Sequence, residues 1–137
     1  MRTPVALSAF ERQLVARTII GEAGGEPFAG MVAVAQVVFN RVANPGWWGH
    51  TVAEVVLKPK QFSCWNDGDP VRKFVLSTPE GSHRYVIADA AITVALLGED
   101  VARGSTSYYN PQTVTPSWES SFEECVVIGH HRFGVVR

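Results

Sequence analysis

Cysteine is scarce in this chain, which has only Cys64 and Cys125. Two cysteines this far apart in sequence can form one disulfide bond, but they suit a reduced protein equally well. Neither cysteine belongs to a Cys-x-x-Cys pair, which excludes a zinc ribbon. The cysteine pattern therefore leaves the disulfide open and gives no sign of structural zinc.

An excess of one charge is also missing, because 12 basic residues are balanced by 13 acidic ones and the formal net charge is -1. Proteins that bind nucleic acids usually have a clearly basic surface, with lysine and arginine clustered on one face. No basic run interleaved with aromatic residues occurs here. We therefore expect no nucleic-acid partner.

Long hydrophobic runs are missing as well. No apolar stretch reaches the roughly 18 residues that a membrane-spanning helix needs, so we expect no membrane insertion. Residues 1–8 are too short, and too soon followed by Glu11 and Arg12, to form a signal peptide. We therefore expect a protein that is made in the cytoplasm and needs separate delivery to any substrate outside the membrane.

Repeats, low-complexity tracts and long linkers do not occur in the 137 residues. A chain of this length fits one domain, and a composition of 46% hydrophobic and 18% charged residues is typical of a globular protein. We therefore treat residues 1–137 as a single domain.

The first two helices are marked by strong local signals. A capping box at residues 8–11 opens the first helix, which is predicted to run to about Gly21 with a buried stripe of Phe10, Leu14, Val15 and Ile19. Pro27 suits the start of the second helix, predicted from Phe28 to about Val42. This second helix is apolar almost all round, so we expect it to be the buried central one.

Two further helices are predicted. A second capping box at residues 51–54 opens a short helix that ends near Leu57, and residues 58–69 follow with no regular pattern. The last helix is predicted from about residue 78 to residue 97, with one face formed by Val86, Ala90, Val94 and Leu97.

The character of the sequence changes after the last helix. Residues 106–109, 126–128 and 132–136 have the composition of short strands. The sequence thus predicts a mainly helical α+β domain in which four helices precede a small antiparallel sheet.

Two glutamates, Glu22 and Glu26, stand where the first helix ends and the apolar second helix begins. A carboxyl group pressed against such a helix is partly desolvated, which favours the neutral form that can donate a proton. The alternative is that both carboxylates only stabilise helix ends, and this interpretation suits Glu26, next to Pro27, better. From the residues alone, the role of Glu22 stays open between general acid and helix terminus.

The segment from Ala16 to Pro27 resembles the signature of SleB-type cell wall hydrolases, the family of spore-cortex-lytic enzymes and of many phage and bacterial homologues. The similarity continues in the family's order through residues 30–42, 61–63, 108–111, Trp118 and 128–133. These ordered blocks cover most of the chain, which makes the resemblance specific.

This resemblance implies a lysozyme-like, lytic transglycosylase-related fold that acts as one catalytic domain on the glycan strands of peptidoglycan. The family's catalytic glutamate falls on Glu22. In such enzymes one glutamate protonates the bond leaving N-acetylmuramic acid and then accepts the proton of that sugar's C6 hydroxyl. The hydroxyl closes onto C1 and gives a 1,6-anhydro end, so neither water nor a second carboxylate is required. We expect a monomer without a cofactor.

Further residues in the matching blocks are predicted to bind substrate. Aromatic rings stack on the apolar faces of sugars, and amide side chains both donate and accept hydrogen bonds. Asn110 is explained equally well by a turn before Pro111. Gln61 and Phe62 are explained equally well by a small second hydrophobic core. With these alternatives open, the candidate binding residues are Glu26, Gln61, Phe62, Tyr108, Tyr109, Asn110 and His131.

Three other functions stay open. A muramidase that uses water would need a second carboxylate roughly 5 to 9 Å from Glu22; Asp67 and Asp69 are the candidates, although a polar turn explains both. A zinc-dependent amidase needs at least three ligands, and adjacent His130 and His131 in a strand would point to opposite faces, so we expect no metal site. A non-catalytic glycan-binding module is the third.

The route to the wall and the kind of wall are also open. A chain without an export signal fits a phage lysis protein, a wall enzyme in a phage-like particle, or a truncated bacterial protein. Ordinary peptidoglycan and the spore cortex, which contains muramic lactam, both fit as substrates.

Overall fold

A computed structural model describes residues 6–137, so the segment interpreted above as too short for an export signal lies partly outside the described residues. Within this range the chain forms five α-helices and a three-stranded sheet. The elements are α1 (Ala9–Ala23), α2 (Phe28–Ala43), α3 (Val52–Leu57), α4 (Pro70–Ser77), α5 (His83–Leu97), β1 (Ser107–Tyr109), β2 (Phe122–Ile128) and β3 (His131–Val136). None of the helices in this range has the length and apolar character required to cross a membrane.

Helix α1 begins with the predicted capping box, in which Ser8 Oγ accepts a hydrogen bond from the Glu11 amide and the Glu11 carboxylate accepts one from the Ser8 amide. The helix runs to Ala23, slightly beyond the predicted end. Leu14 and the later apolar residues of the stripe are buried, whereas Phe10 is 60% exposed. The prediction for Phe10 was wrong because it lies in the first turn, before the buried part of the helix begins.

Helix α2 is the central helix, as predicted, and packs against α1, α3 and α5. Its buried residues include three polar ones, Gln36, Asn40 and Arg41. The amide of Gln36 donates to the Glu99 carbonyl at 2.8 Å, and that of Asn40 donates to the Ser105 carbonyl at 3.0 Å. Buried amides with such partners are satisfied, and here they fix the segment that leads into β1.

The prediction of four helices was wrong, because residues 70–77 form the separate helix α4. Asp69 caps this helix by accepting a hydrogen bond from the Val71 amide, and Pro70 occupies its first turn. The sequence from Asn66 to Pro70 has the composition of a turn, but aspartate followed by proline is also a helix start. Helix α5 accordingly begins only at His83, with Ser82 as its cap.

The packed face of α5 also differs from the prediction. Val86, Val94 and Leu97 are exposed, and the buried residues are Tyr85, Ala88, Ala91, Ile92 and Ala95. Three of these five buried residues are alanines, so the packed face of α5 combines small side chains with Tyr85 and Ile92.

The sheet has the order β1-β3-β2 and both pairings are antiparallel. Tyr108 pairs with Phe133 and Tyr109 with Arg132, while an irregularity between Glu124 and Val126 leaves Cys125 outside the regular register. Consecutive residues of a strand point to opposite faces, so Tyr108 and Tyr109 serve different sides of β1. The predicted mainly helical α+β architecture with a small antiparallel sheet is confirmed.

Candidate active site

Glu22 lies in a cleft of about 300 Å³ between α1, α2 and the start of β1. The cleft is lined by Glu22, Arg41, Trp47, Trp48, Lys60, Gln61, Phe62, Thr106, Ser107, Tyr108, Trp118 and Val136. Glu22 is the sole carboxylate among these lining residues, and the aromatic and amide side chains around it suit a polar, ring-shaped ligand such as a sugar.

The carboxylate of Glu22 is half-buried in the last turn of α1 and is held by three donors. The Tyr108 hydroxyl donates to Oε1 at 2.8 Å. The Ser63 hydroxyl and the Cys64 amide donate to Oε2 at 3.3 and 3.4 Å. A carboxyl group fixed at both oxygens keeps one orientation, which is what proton transfer to a bound substrate requires.

Tyr108 is the strongest of these partners and is firmly packed. Its ring lies 5.0 Å from the His131 ring, 5.3 Å from that of Phe133 and 6.5 Å from that of Phe62, measured between centroids. Burial, together with the neighbouring Glu22 carboxylate, raises the pKa of the Tyr108 hydroxyl well above its ordinary value. Tyr108 therefore keeps its proton and acts as a donor to Glu22.

Gly21 allows the segment with Ser63 and Cys64 to reach Glu22. A Cβ atom at position 21 would lie only 2.6 Å from the Cβ of Cys64, closer than side chains can pack. Burial, followed by the Glu22 carboxylate, raises the pKa of the Cys64 thiol. Cys64 and Cys125 are both free thiols, so the disulfide that the sequence left open is not formed.

Arg41, at the end of α2, organises the opposite wall of the cleft. Its Nε donates to the Thr106 carbonyl at 2.6 Å and its guanidinium group lies over the Trp48 and Phe62 rings at 5.2 and 5.4 Å. Burial lowers the pKa of Arg41 to about 10. Gln61, whose Oε1 accepts from Arg41 at 3.3 Å, is held in the wall by the same side chain.

Arg41 was not among the site residues predicted from the sequence. Its position could have indicated a role, because Arg41 is the one charged residue of an otherwise mostly apolar helix. A charged side chain that is buried beside such a helix needs polar partners. Ser63 and Cys64 carried no signal of their own, because their contacts with Glu22 depend on a tertiary approach.

Glu26 lies outside the set of cleft-lining residues and joins the start of α2 to the β2–β3 turn. Its Oε1 accepts from the His130 amide at 2.7 Å, and its Oε2 lies 2.8 Å from His130 Nδ1. Burial alone would raise the pKa of Glu26, but the His130 hydrogen bonds and the two nearby imidazoles lower it below its ordinary value. These contacts favour a structural role, and substrate binding by Glu26 stays a prediction.

The expectation that His130 and His131 point to opposite faces was wrong. His130 lies in the turn and not in β3, so strand alternation does not apply, and both imidazoles approach Glu26. His131 Nδ1 is 3.5 Å from Glu26 Oε1, and burial lowers the pKa of this histidine despite the nearby glutamates. In the described part of the chain no three His, Cys, Asp or Glu side chains are placed to hold a metal ion.

The remaining predicted binding residues divide into two groups. Gln61 and Phe62 line the cleft with Glu22 and Tyr108. Tyr109 is buried on the other side of β1, where its hydroxyl donates to Glu119 at 2.8 Å and receives a hydrogen bond from Arg132. Its ring packs against that of Trp118 at 5.4 Å, so Tyr109 supports a cleft residue from behind.

Asn110 and His131 are likewise absent from the cleft lining. The Asn110 side chain accepts from the Gln112 amide at 2.9 Å, which is the geometry of a strand-end turn. The His131 ring contacts that of Tyr108, with 5.0 Å between the centroids, so His131 can help to orient Tyr108, and its binding of substrate stays a prediction.

The two aspartates considered as a second carboxylate are both engaged elsewhere. Asp69 caps α4, and Asp67 forms an ion pair with Arg72 and has a 99% exposed side chain. Neither is among the residues that line the Glu22 cleft.

The family model described as Cell Wall Hydrolase matches residues 25–134 of this chain. Two curated relatives are spore cortex-lytic enzymes. That of Halalkalibacterium halodurans is 36% identical over 95% of this chain, and that of Bacillus cereus is 32% identical over 95%. The alignments cover 36% and 46% of the relatives' own lengths, so the chain spans less than half of each.

Two solved structures are similar over nearly their full lengths. The catalytic domain of the germination-specific lytic transglycosylase SleB from Bacillus anthracis has a TM-score of 0.78 and 30% identity, covering 96% of this chain and 99% of that one. The catalytic domain of the Bacillus cereus SleB protein has a TM-score of 0.77 and 33% identity, covering 98% of both chains. These similarities confirm the lysozyme-like fold that the sequence resemblance implied.

Proposed function

This chain belongs to the cell wall hydrolase family, and on that premise we propose that it is a peptidoglycan lytic transglycosylase of the spore cortex-lytic type. Its target bond joins N-acetylmuramic acid to N-acetylglucosamine in the glycan strand. The observation that carries the proposal is the Glu22 carboxyl group, held by Tyr108, Ser63 and Cys64 in a cleft with aromatic walls.

The proposed reaction begins with proton donation. Protonated Glu22 gives its proton to the glycosidic oxygen, the bond from C1 of N-acetylmuramic acid to that oxygen breaks, and positive charge develops at C1. The carboxylate that remains is stabilised by the hydrogen bonds from the Tyr108 hydroxyl, the Ser63 hydroxyl and the Cys64 amide.

The second step closes the sugar on itself. The C6 oxygen bonds to C1 as Glu22 takes the C6 hydroxyl proton, which restores the acid and leaves a 1,6-anhydro end. Because the nucleophile is already part of the substrate, its approach requires no bound water and no second carboxylate. The position of Glu22 as the sole carboxylate in the cleft lining supports this route over hydrolysis.

Mass spectrometry of purified peptidoglycan after digestion tests the proposal. We expect products that end in 1,6-anhydro-N-acetylmuramic acid and are lighter by one water than reducing ends. Reducing ends would replace the proposal with a muramidase that uses water. Free peptide stems would indicate an amidase, and intact strands would contradict glycan cleavage altogether.

A further inference from the structure

A second depression of about 510 Å³ adjoins the Glu22 cleft. Trp47 and Trp48 line both, so the two depressions lie side by side and share these two residues. The floor of the second depression is formed largely by α3 and the residues after it, including Ala53, Leu57 and Pro59. Trp47, at the junction, is 63% exposed.

The two tryptophans are presented by a tight turn. The Gly49 amide donates to the Gly46 carbonyl at 3.0 Å, which places Trp47 and Trp48 at the two central positions. Gly49 has a φ of +116°, and a Cβ atom there would lie 2.7 Å from the Cβ of Glu54. The turn therefore depends on glycine at this position and keeps its shape against α3.

Trp48 anchors the pair to the catalytic cleft. Its Nε1 donates to the Arg41 carbonyl at 2.9 Å, and the Arg41 guanidinium group lies over its ring. The Trp47 ring lies 5.3 Å from that of Trp48 at an angle of 56°. Trp47 therefore presents an exposed aromatic ring that is packed against the ring of Trp48.

From this geometry we propose that Trp47 is the stacking platform of an additional saccharide subsite, through which the glycan strand continues from the Glu22 cleft across the second depression. This inference rests on the proposed function, because that function supplies a substrate long enough to occupy both. The two depressions lie side by side, which favours one extended ligand, and the apolar faces of sugar rings match an exposed indole. Trp47 binds substrate here and takes no part in the proton transfers.

The test compares Trp47→Ala with wild type on purified glycan strands of graded length, down to the shortest fragment that wild type cleaves. We expect kcat/KM for long strands to fall roughly tenfold through KM, equivalent to about 1.4 kcal/mol of binding. The loss on the shortest fragment should be clearly smaller than the loss on long strands, because only long strands reach the second depression. Trp47→Phe should recover most of the loss, because it keeps a stacking ring.

Phe74→Ala is the matched control, since Phe74 is an aromatic residue of α4 that is 45% exposed and lines neither depression. Unchanged KM for long strands in Trp47→Ala would overturn the subsite. An equal loss on the shortest fragment would also overturn it, because Trp47 would then contribute to binding only within the Glu22 cleft. A change in sedimentation coefficient without a change in KM would assign the surface to self-association instead.

A failure of the proposed function can be distinguished from a failure of the subsite proposal. If wild type cleaves no strands of any length, co-sedimentation with insoluble peptidoglycan still decides the inference. Weaker binding by Trp47→Ala, but not by Phe74→Ala, would support the subsite, and equal binding by all three proteins would overturn it.

Discussion

The Tyr108 hydroxyl and the Glu22 carboxylate form a 2.8 Å hydrogen bond at the floor of the cleft. The pKa of Tyr108 is raised well above its ordinary value, so its hydroxyl keeps its proton and can donate to the Glu22 carboxylate. Glu22 is thereby oriented by a donor that is itself packed against His131 and Phe133.

Glu22→Gln should abolish glycan cleavage with little change in thermal stability. Glutamine keeps the shape of the side chain and can still accept a hydrogen bond from Tyr108, but it has no proton to transfer. We expect a fall in rate of roughly 10²- to 10⁴-fold, the contribution typical of a general acid. Turbidity loss of a peptidoglycan suspension and a melting curve measure the two effects, and full activity in this variant would remove Glu22 from its assigned role.

Glu26→Gln should reduce activity less than Glu22→Gln does. Glu26 holds the β2–β3 turn through His130 and reaches the cleft only through His131 and Tyr108. The loss of its charge should therefore appear first as a lower melting temperature. The same two assays apply, and the reverse order of activities would show that the acid is Glu26.

Tyr108→Phe should lower kcat by roughly tenfold, because it removes the hydrogen bond to Glu22 while it keeps the ring contacts. Tyr109→Phe is the matched control, since it is the adjacent residue and loses a hydroxyl bonded to Glu119 on the other face of β1. We expect the control to affect stability more than kcat. Equal losses of kcat in the two variants would contradict a specific role for Tyr108.

Asp69→Ser should retain both activity and stability, because serine replaces aspartate as a helix cap. Asp69→Ala should lose about 1 kcal/mol of folding free energy with its cap, again with normal kcat. Urea denaturation and the turbidity assay measure these quantities. A large loss of kcat in Asp69→Ser would identify a second catalytic carboxylate and favour hydrolysis by water.

Acidification should destabilise the fold in a way that depends on His131. Burial lowers its pKa in the folded state below the ordinary 6.5, so the unfolded chain binds the proton more readily. The contribution of His131 to stability is complete above pH 6.5 and is lost as the pH falls towards the pKa of the folded state. The pKa of Glu26 is also lowered by folding, so its contribution is lost as the pH falls below the ordinary value of 4.5.

Melting temperatures at about pH 7.5 and about pH 5.5 measure the histidine effect. His131→Gln should show a smaller drop between the two values than wild type, whereas the exposed His83→Gln should show the same drop as wild type. An unchanged drop in His131→Gln would mean that another group governs the acid sensitivity.

The elements with local signals were predicted well. The capping boxes at Ser8 and Thr51 lie where the sequence placed them, and the composition of α2 identified the central helix. Helix α4 was missed because its starting signal, Asp69-Pro70, is also typical of a turn. The predicted face of α5 was wrong because three of its five buried residues are alanines, which give a weaker hydrophobic signal in the sequence than the exposed valines and leucine.

The site was only partly predictable for a related reason. Tyr108 lies 86 residues from Glu22 and Cys64 lies 42 residues from it, so their contacts come from the tertiary fold. The resemblance supplied Glu22, Gln61, Phe62 and Tyr108, which the structure brings together. It could not show that Tyr109 faces the other side of β1, or that Arg41 fixes the wall beside Gln61.

The close packing of Cys64 against Gly21 also affects how readily the Cys64 thiol is oxidised or alkylated. The thiolate is the form that reacts with peroxides and alkylating agents, and a buried thiol with a raised pKa forms it rarely. Under the proposed function, the protein would act on the wall, where cellular reductants do not protect it. Because Cys64 also donates its amide to Glu22, this packing keeps oxidative damage away from the residue that the acid depends on.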